Sequence, residues 1–86
     1  MWIVYIIQHD KTKQLYSGFT NDLKRRLLKH NSGESIATKR KHGKWHLIYA
    51  EAYKDRKDAV LRERKLKNHG TAKQRLYERI SNSLLK

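Results

Sequence analysis

From Trp2 to Gln8 the chain is apolar almost without a break (WIVYIIQ) and rich in β-branched and aromatic side chains. Such a run favours a strand. Its near-continuous apolarity, in place of strict alternation, predicts a central strand covered on both faces. The polar stretch His9 to Gln14 reads as a hairpin turn, and Leu15 to Phe19 (LYSGF) gives a second, shorter strand. The period then changes. Leu23 and Leu27 are four apart and share a helical face that packs on the sheet. Thr20, Asn21 and Asp22 precede them as N-cap candidates. This helix runs to about His30 and is closed by Asn31-Ser32-Gly33, where Gly33 can take a positive φ.

Glu34 to Lys44 has no period and gathers Lys39, Arg40, Lys41, His42 and Lys44 into a basic loop. Trp45 to Tyr53 (WHLIYAEAY) alternates imperfectly and predicts a third strand. Asp55 caps a second helix reaching about Asn68, and His69-Gly70 breaks it. Thr71 and Gln74 have the spacing of a capping box, opening a last helix to about Ser83. The predicted order is β-β-α-β-α-α, an α/β (α+β) arrangement. No linker, repeat or proline marks a second domain within residues 1–86, and a chain of this length is one small domain. It buries only about 60% of its unfolded surface, so its core is small.

Charge narrows the partners. Twenty-one Lys and Arg face eight Asp and Glu, a formal net charge of +13. That is the electrostatic footprint of a nucleic-acid binder. An anionic membrane surface is the rival, but the cations are spread along the chain and not collected on one face of an apolar helix. The N-terminal apolar run is too short for a membrane span or a signal peptide. The chain has no cysteine, so neither disulfides nor thiolate metal sites hold it together, and this suits a reducing cytoplasm.

Five residues stand out as candidate chemistry. Arg26 and His30 are i and i+4, on a row beside the leucine stripe, so they emerge at the edge of the helix–sheet contact while Arg25 and Lys29 point outward. A solvated arginine and a histidine on the helix dipole are the structural alternatives. Glu63 falls among Ala59, Val60 and Leu66 on one helical face. An inward carboxylate is costly unless paired or bound to metal, and a salt bridge is the plain alternative. Tyr5 and Tyr16, on adjacent hairpin strands, can project from one face beside the first helix, or can simply be core residues. No H-E-x-x-H, Cys/His cluster, glycine-rich phosphate loop or nucleophile elbow is present. A single inward carboxylate argues against a two-metal nuclease.

These residues resemble a known family. Val4-Tyr5-Ile6 followed across the hairpin by Tyr16-Ser17-Gly18 resembles the paired motif of the GIY-YIG endonucleases. Thr20 to Gly33 (TNDLKRRLLKHNSG) resembles the family helix, with its arginine at Arg26 and its histidine at His30. Ala59 to Lys67 (AVLRERKLK) resembles the segment supplying a metal-binding glutamate, here Glu63. The chain is most similar to small stand-alone bacterial members and to the nuclease domain found in excinuclease. Val4 replaces the first glycine, and Ser17 the middle isoleucine of the second motif; neither position carries chemistry.

The resemblance implies a three-stranded antiparallel sheet flanked by helices. It also implies a divalent-metal-dependent endonuclease acting on DNA, with a place in repair or recombination. Glu63 would hold one Mg²⁺ or Mn²⁺, and Arg26 would neutralise phosphoryl charge. A tyrosine, Tyr5 by preference, would accept the water proton with its pKa lowered by nearby cations. Tyr16 and His30 would position the water or share its proton, and Lys39, Arg40, Lys41 and Lys44 would contact phosphates. A late asparagine often joins the family site, and Asn68 is available. The alternatives are a non-catalytic nucleic-acid-binding module and an RNA-binding protein of ribosomal type. No added DNA-binding domain is visible, so target-sequence specificity is expected to be weak.

Overall fold

The structure is a computed structural model that describes residues 1–33, 43–68 and 70–86. Its elements are β1 (Trp2–His9), β2 (Leu15–Thr20), α1 (Leu23–Ser32), β3 (Trp45–Tyr53), α2 (Arg56–Lys67) and α3 (Thr71–Arg79), with a 3₁₀ turn at Ser81–Ser83. The expected order is therefore the observed one.

The sheet order is β2-β1-β3, with both pairings antiparallel. The apolar β1 is central, and Val4 through His9 are buried. Because successive strand side chains alternate faces, β1 serves two cores. Val4 and Ile6 join Ala59, Leu66, Leu76 and Ile80 under α2 and α3. Tyr5 and Ile7 join Trp45 beneath Leu23 and Leu27 of α1. The leucine stripe of α1 thus packs on the sheet as its spacing requires.

Local chemistry closes each element. In the hairpin, His9 N–H donates to Gln14 O and Lys13 N–H to His9 O, both at 2.9 Å. Lys13 takes a φ of 63° there. His9 Nδ1 accepts the backbone N–H groups of Lys11 and Thr12. Asp22 caps α1 by accepting from Arg25 N–H at 3.1 Å, and Gly33 closes it at φ 81°. Asp55 caps α2 through Lys57 N–H at 2.7 Å. Asn31, expected to lie past the helix end, is inside α1 and ties it to β3: its Oδ1 accepts Trp45 N–H at 2.7 Å and its Nδ2 donates to Trp45 O at 3.0 Å.

Three expectations need correction. The capping box at Thr71 is absent: Gly70 is the N-cap of α3, with no side-chain cap. Thr71 is already helical, and Gln74 Nε2 reaches forward to Glu78 Oε1 at 3.5 Å instead of back. Extended Gly70 turns the chain one residue early, so the threonine falls out of register with the cap. The last helix also ends at Arg79, with the 3₁₀ turn taking over toward Ser83. Finally, Lys29 is half-buried, whereas Leu28 is 62% exposed on the outer side of α1. Among the described residues no helix is long and apolar enough to cross a membrane.

Candidate active site

Tyr5 lies mid-strand in β1, opposite Gly18 of β2, and its side chain points toward α1. It is 1% exposed. A β-carbon placed on Gly18 would stand 2.6 Å from the Tyr5 hydroxyl and 2.9 Å from Cζ. The glycine of the second motif therefore serves space, not backbone conformation: it makes the slot in which the phenol lies.

The hydroxyl is held from two sides by α1. His30 Nε2 is 2.8 Å away, and Arg26 Nε–H donates to the oxygen at 3.4 Å. The i, i+4 spacing delivers both side chains from adjacent turns to one atom. His30 is 2% exposed. Burial, with the adjacent Arg26 charge added, lowers its pKa from 6.5 to about 4, so the imidazole is neutral at neutral pH. Burial raises the Tyr5 pKa and outweighs the lowering influence of Arg26. The expectation that neighbouring cations lower this phenol is thus reversed, because desolvation of a phenolate in a nearly closed slot costs more than one partly exposed guanidinium returns. With the neutral imidazole as its Nδ1–H tautomer, Tyr5 O–H donates to His30 Nε2 while its oxygen accepts from Arg26. The hydrogen bond to Tyr5 raises the Arg26 pKa further.

Tyr16 pairs with Ile7 across the strands and so shares the face of Tyr5, as expected. It is half-buried. Its ring meets His30 edge-on with centroids 5.2 Å apart, and Trp45 at 6.5 Å.

Glu63 projects inward from α2 and is 6% exposed. Lys67, one turn on, brings Nζ to 2.9 Å from Oε1. The contact is an ion pair at hydrogen-bond distance and raises the Lys67 pKa, and this oxygen is shielded from water. The salt-bridge reading of Glu63 is therefore met by Lys67. Lys67 Nζ also lies 5.5 Å from the centroid of the Tyr16 ring, joining Glu63 to the tyrosine cluster. A hard divalent ion takes oxygen ligands, and an inward carboxylate shielded from water and held only by a half-exposed lysine suits one. Among the described residues no group of three or more His, Cys, Asp or Glu gathers into a metal cage. Among the described residues Glu63 would be the single carboxylate ligand, leaving other positions for water and phosphate.

A polar depression of about 170 Å³ lined by Thr20, Asn21, Asp22, Arg25, Arg26 and Lys29 opens beside this cluster. A larger hollow, about 620 Å³, lies instead along α3, lined by Lys73, Tyr77 and Ser81 among others. It contains none of the five candidates, and chemistry, not size, identifies the site. Of the phosphate-contact candidates, Lys44 is exposed next to β3; its backbone N–H donates to Asp10 Oδ1 at 3.0 Å. Lys39, Arg40 and Lys41 lie outside the described residues. Asn68 is the exposed C-cap of α2, a capping role and not a place in the cluster. Two participants escaped the sequence reading: the spacing of Gly18 from Tyr5 and the ion pair of Lys67. The second had a signal, the Glu-Lys i, i+4 pair.

The sequence model of the GIY-YIG catalytic domain matches residues 1–79. A UPF0213 protein of Bacillus pumilus is 36% identical over 63 residues, which cover 73% of this chain and 64% of that protein. The match thus spans slightly less than two thirds of that relative's length. A UPF0213 protein of Haloquadratum walsbyi is 33% identical over 66 residues, 77% of this chain and 73% of the relative. The solution NMR structure of a UPF0213 protein from Bacillus halodurans superposes with a TM-score of 0.55 at 28% identity, covering 93% of this chain and 85% of that one. With the paired tyrosine motifs on adjacent strands, the arginine and histidine on α1 and the inward glutamate on α2, the chain belongs to the GIY-YIG family of nuclease domains.

Proposed function

We propose that the domain is a divalent-metal-dependent endonuclease that hydrolyses phosphodiester bonds in DNA. The observation that carries the reading is the Tyr5 hydroxyl held between Arg26 Nε and His30 Nε2. A core tyrosine needs one partner for its hydroxyl; a chain of donor, phenol and neutral imidazole is a proton path.

The proton would move along that path. The Tyr5 oxygen accepts a proton from the attacking water while its own passes to His30 Nε2, so the phenol need not ionise beforehand. Burial and Arg26 hold His30 neutral in the free domain. A phosphodiester anion bound beside Arg26 offsets part of that charge and favours the imidazolium that forms. Tyr16, at the half-buried mouth, positions the water. Arg26 meets the growing charge on the phosphoryl oxygens with a planar, permanently charged group. Glu63 would hold Mg²⁺ or Mn²⁺, and the bound ion supplies Lewis-acid charge at the phosphate and leaving oxygen. Lys44, together with Lys39, Arg40 and Lys41, would contact the flanking backbone. A place in DNA repair or recombination, acting in the cytoplasm, fits a cysteine-free basic domain with structure-directed cleavage.

The test is cleavage of plasmid DNA with Mg²⁺, Mn²⁺ or EDTA by wild type, Tyr5→Phe and Glu63→Ala, with a matched RNA as second substrate. Metal-dependent nicking of DNA, lost in both variants, is expected. Retarded but uncut DNA under every condition would identify a binding module; preferential action on the RNA would replace the substrate.

A further inference from the structure

The cation nearest Glu63 belongs to the protein. Lys67 Nζ stands 2.9 Å from Oε1, an oxygen that is shielded from water. It is steadied on its other side by the Tyr16 ring, 5.5 Å from the centroid. The Lys67 side chain is otherwise 52% exposed, so its stem is free to swing while its head is drawn inward. Glu preceding Lys by four is the favourable order on a helix.

We propose that Lys67 is a tethered counter-ion that a divalent metal must displace from Glu63. The inference rests on the reading of Glu63 as the metal ligand. Two cations on one carboxylate oxygen repel each other: an ion bound there at a ligand distance of about 2.1 Å stands within about 5 Å of Nζ unless the ammonium turns away. Displacement would turn the ammonium outward, along a stem already half exposed, where it can meet a bound phosphate. Lys67 is thus a positioning residue. It keeps an inward carboxylate compensated when metal is absent, and it delivers a positive charge to the substrate side once metal arrives. Metal and nucleic acid would then bind with positive coupling, since the metal frees a lysine that the phosphate can take.

The experiment measures Mn²⁺ affinity of the intact chain by water-proton relaxation, without nucleic acid, in wild type, Glu63→Gln, Lys67→Met, Lys67→Arg and Lys65→Met. Lys65 is exposed on the same helix and controls for loss of charge alone. Lys67→Met should bind Mn²⁺ about five-fold tighter, the worth of an ion pair of roughly 1 kcal/mol. Lys65→Met should differ from wild type by less than about two-fold, and Lys67→Arg should stay near it. Circular dichroism melts establish that each variant folds. Unchanged affinity in Lys67→Met, or an equal rise in Lys65→Met, with binding lost in Glu63→Gln, overturns the displacement while leaving Glu63 as the ligand. Unchanged binding in Glu63→Gln overturns the ligand assignment and the displacement with it. A duplex DNA added at saturation should tighten Mn²⁺ in wild type and do so less in Lys67→Met; equal tightening overturns the coupling.

Discussion

Tyr5 shows how a single residue is set by its neighbours. Its slot exists because position 18 has no side chain, and its hydroxyl is oriented by Arg26 and His30. Gly18→Ala should therefore lower cleavage by more than about ten-fold while costing about 1–3 kcal/mol of stability, the usual penalty for overpacking. Urea unfolding and turnover on one substrate measure the two effects separately; a stable and fully active variant would show that the phenol's place is immaterial. Arg26→Ala should depress turnover far more than affinity, because its charge is needed most in the transition state. Arg25→Ala, whose side chain is exposed, should weaken binding slightly and flatten its salt dependence. Equal and mild losses in the two would reduce Arg26 to one more surface cation. His30 carries a pH signature. Its pKa in the fold, about 4, lies below the ordinary 6.5, so below pH 6.5 the unfolded chain binds the proton that the native state refuses. The His30 contribution should be complete above about pH 6.5, be lost through the window down to pH 4 and change no further below it, a loss of up to about 3 kcal/mol. The imidazole proton resonances and the urea midpoint between pH 7 and pH 4 report it. A histidine that titrates near 6.5 would contradict the neutral imidazole.

At the level of elements, α2 meets two carboxylates with opposite consequences. Glu63, its own, is held by a single half-exposed lysine. Glu63→Ala removes its desolvation cost and should leave stability unchanged or slightly higher while cleavage disappears. Unfolding of that variant would favour a structural salt bridge. Glu51, on β3 and facing α2, is satisfied three times over. Tyr49 O–H donates at 2.5 Å, Tyr53 O–H at 2.8 Å and Arg62 Nε at 2.6 Å. Burial pushes its pKa up, but the three hydrogen bonds and the Arg62 charge together bring it below the ordinary value. This network fastens α2 to the edge strand, so it sets the height of Glu63 above the sheet without touching the site. Glu51→Ala leaves a guanidinium and two phenols without their acceptor and should cost about 3 kcal/mol, read as a lower melting temperature, with metal-dependent cleavage retained at temperatures where the fold persists. A loss of cleavage matching that of Glu63→Ala, at full stability, would place Glu51 in the chemistry instead.

For the whole molecule the governing quantity is charge. A formal +13 on 86 residues would make phosphate contact the main source of affinity for a nucleic acid. Binding to duplex DNA should weaken with a log–log salt slope of about −0.9 per phosphate neutralised and respond little to base sequence. Titrating unrelated duplexes and a branched substrate across a salt series separates the cases. Selectivity should be for structure, and sharp cutting at one sequence with salt-insensitive binding would reveal a base-reading element. Such non-specific attraction would bring the depression lined by Arg25, Arg26 and Lys29 against the backbone, next to Tyr5.

Hydrophobic pattern by itself determined the order of the elements, the central place of β1 and the inward turn of Glu63, because periods of two and of 3.6 follow directly from backbone geometry. The spacing of Arg26 and His30 likewise put both on one row of α1. What the pattern could not carry were quantities that depend on neighbours distant in sequence. Whether Tyr5 is lowered by cations or raised by burial is a balance of charge against desolvation, and only the packed slot between β2 and α1 settles its sign. The start of α3 at Gly70 in place of the Thr71 box turned on one residue of register, which local propensities of a few tenths of a kcal/mol do not fix. That Gly18 makes room for a phenol, and that Lys67 stands at the oxygen of Glu63, are distances across space that no local pattern encodes. The tertiary structure decided them because van der Waals contact and electrostatics act through space, not along the chain.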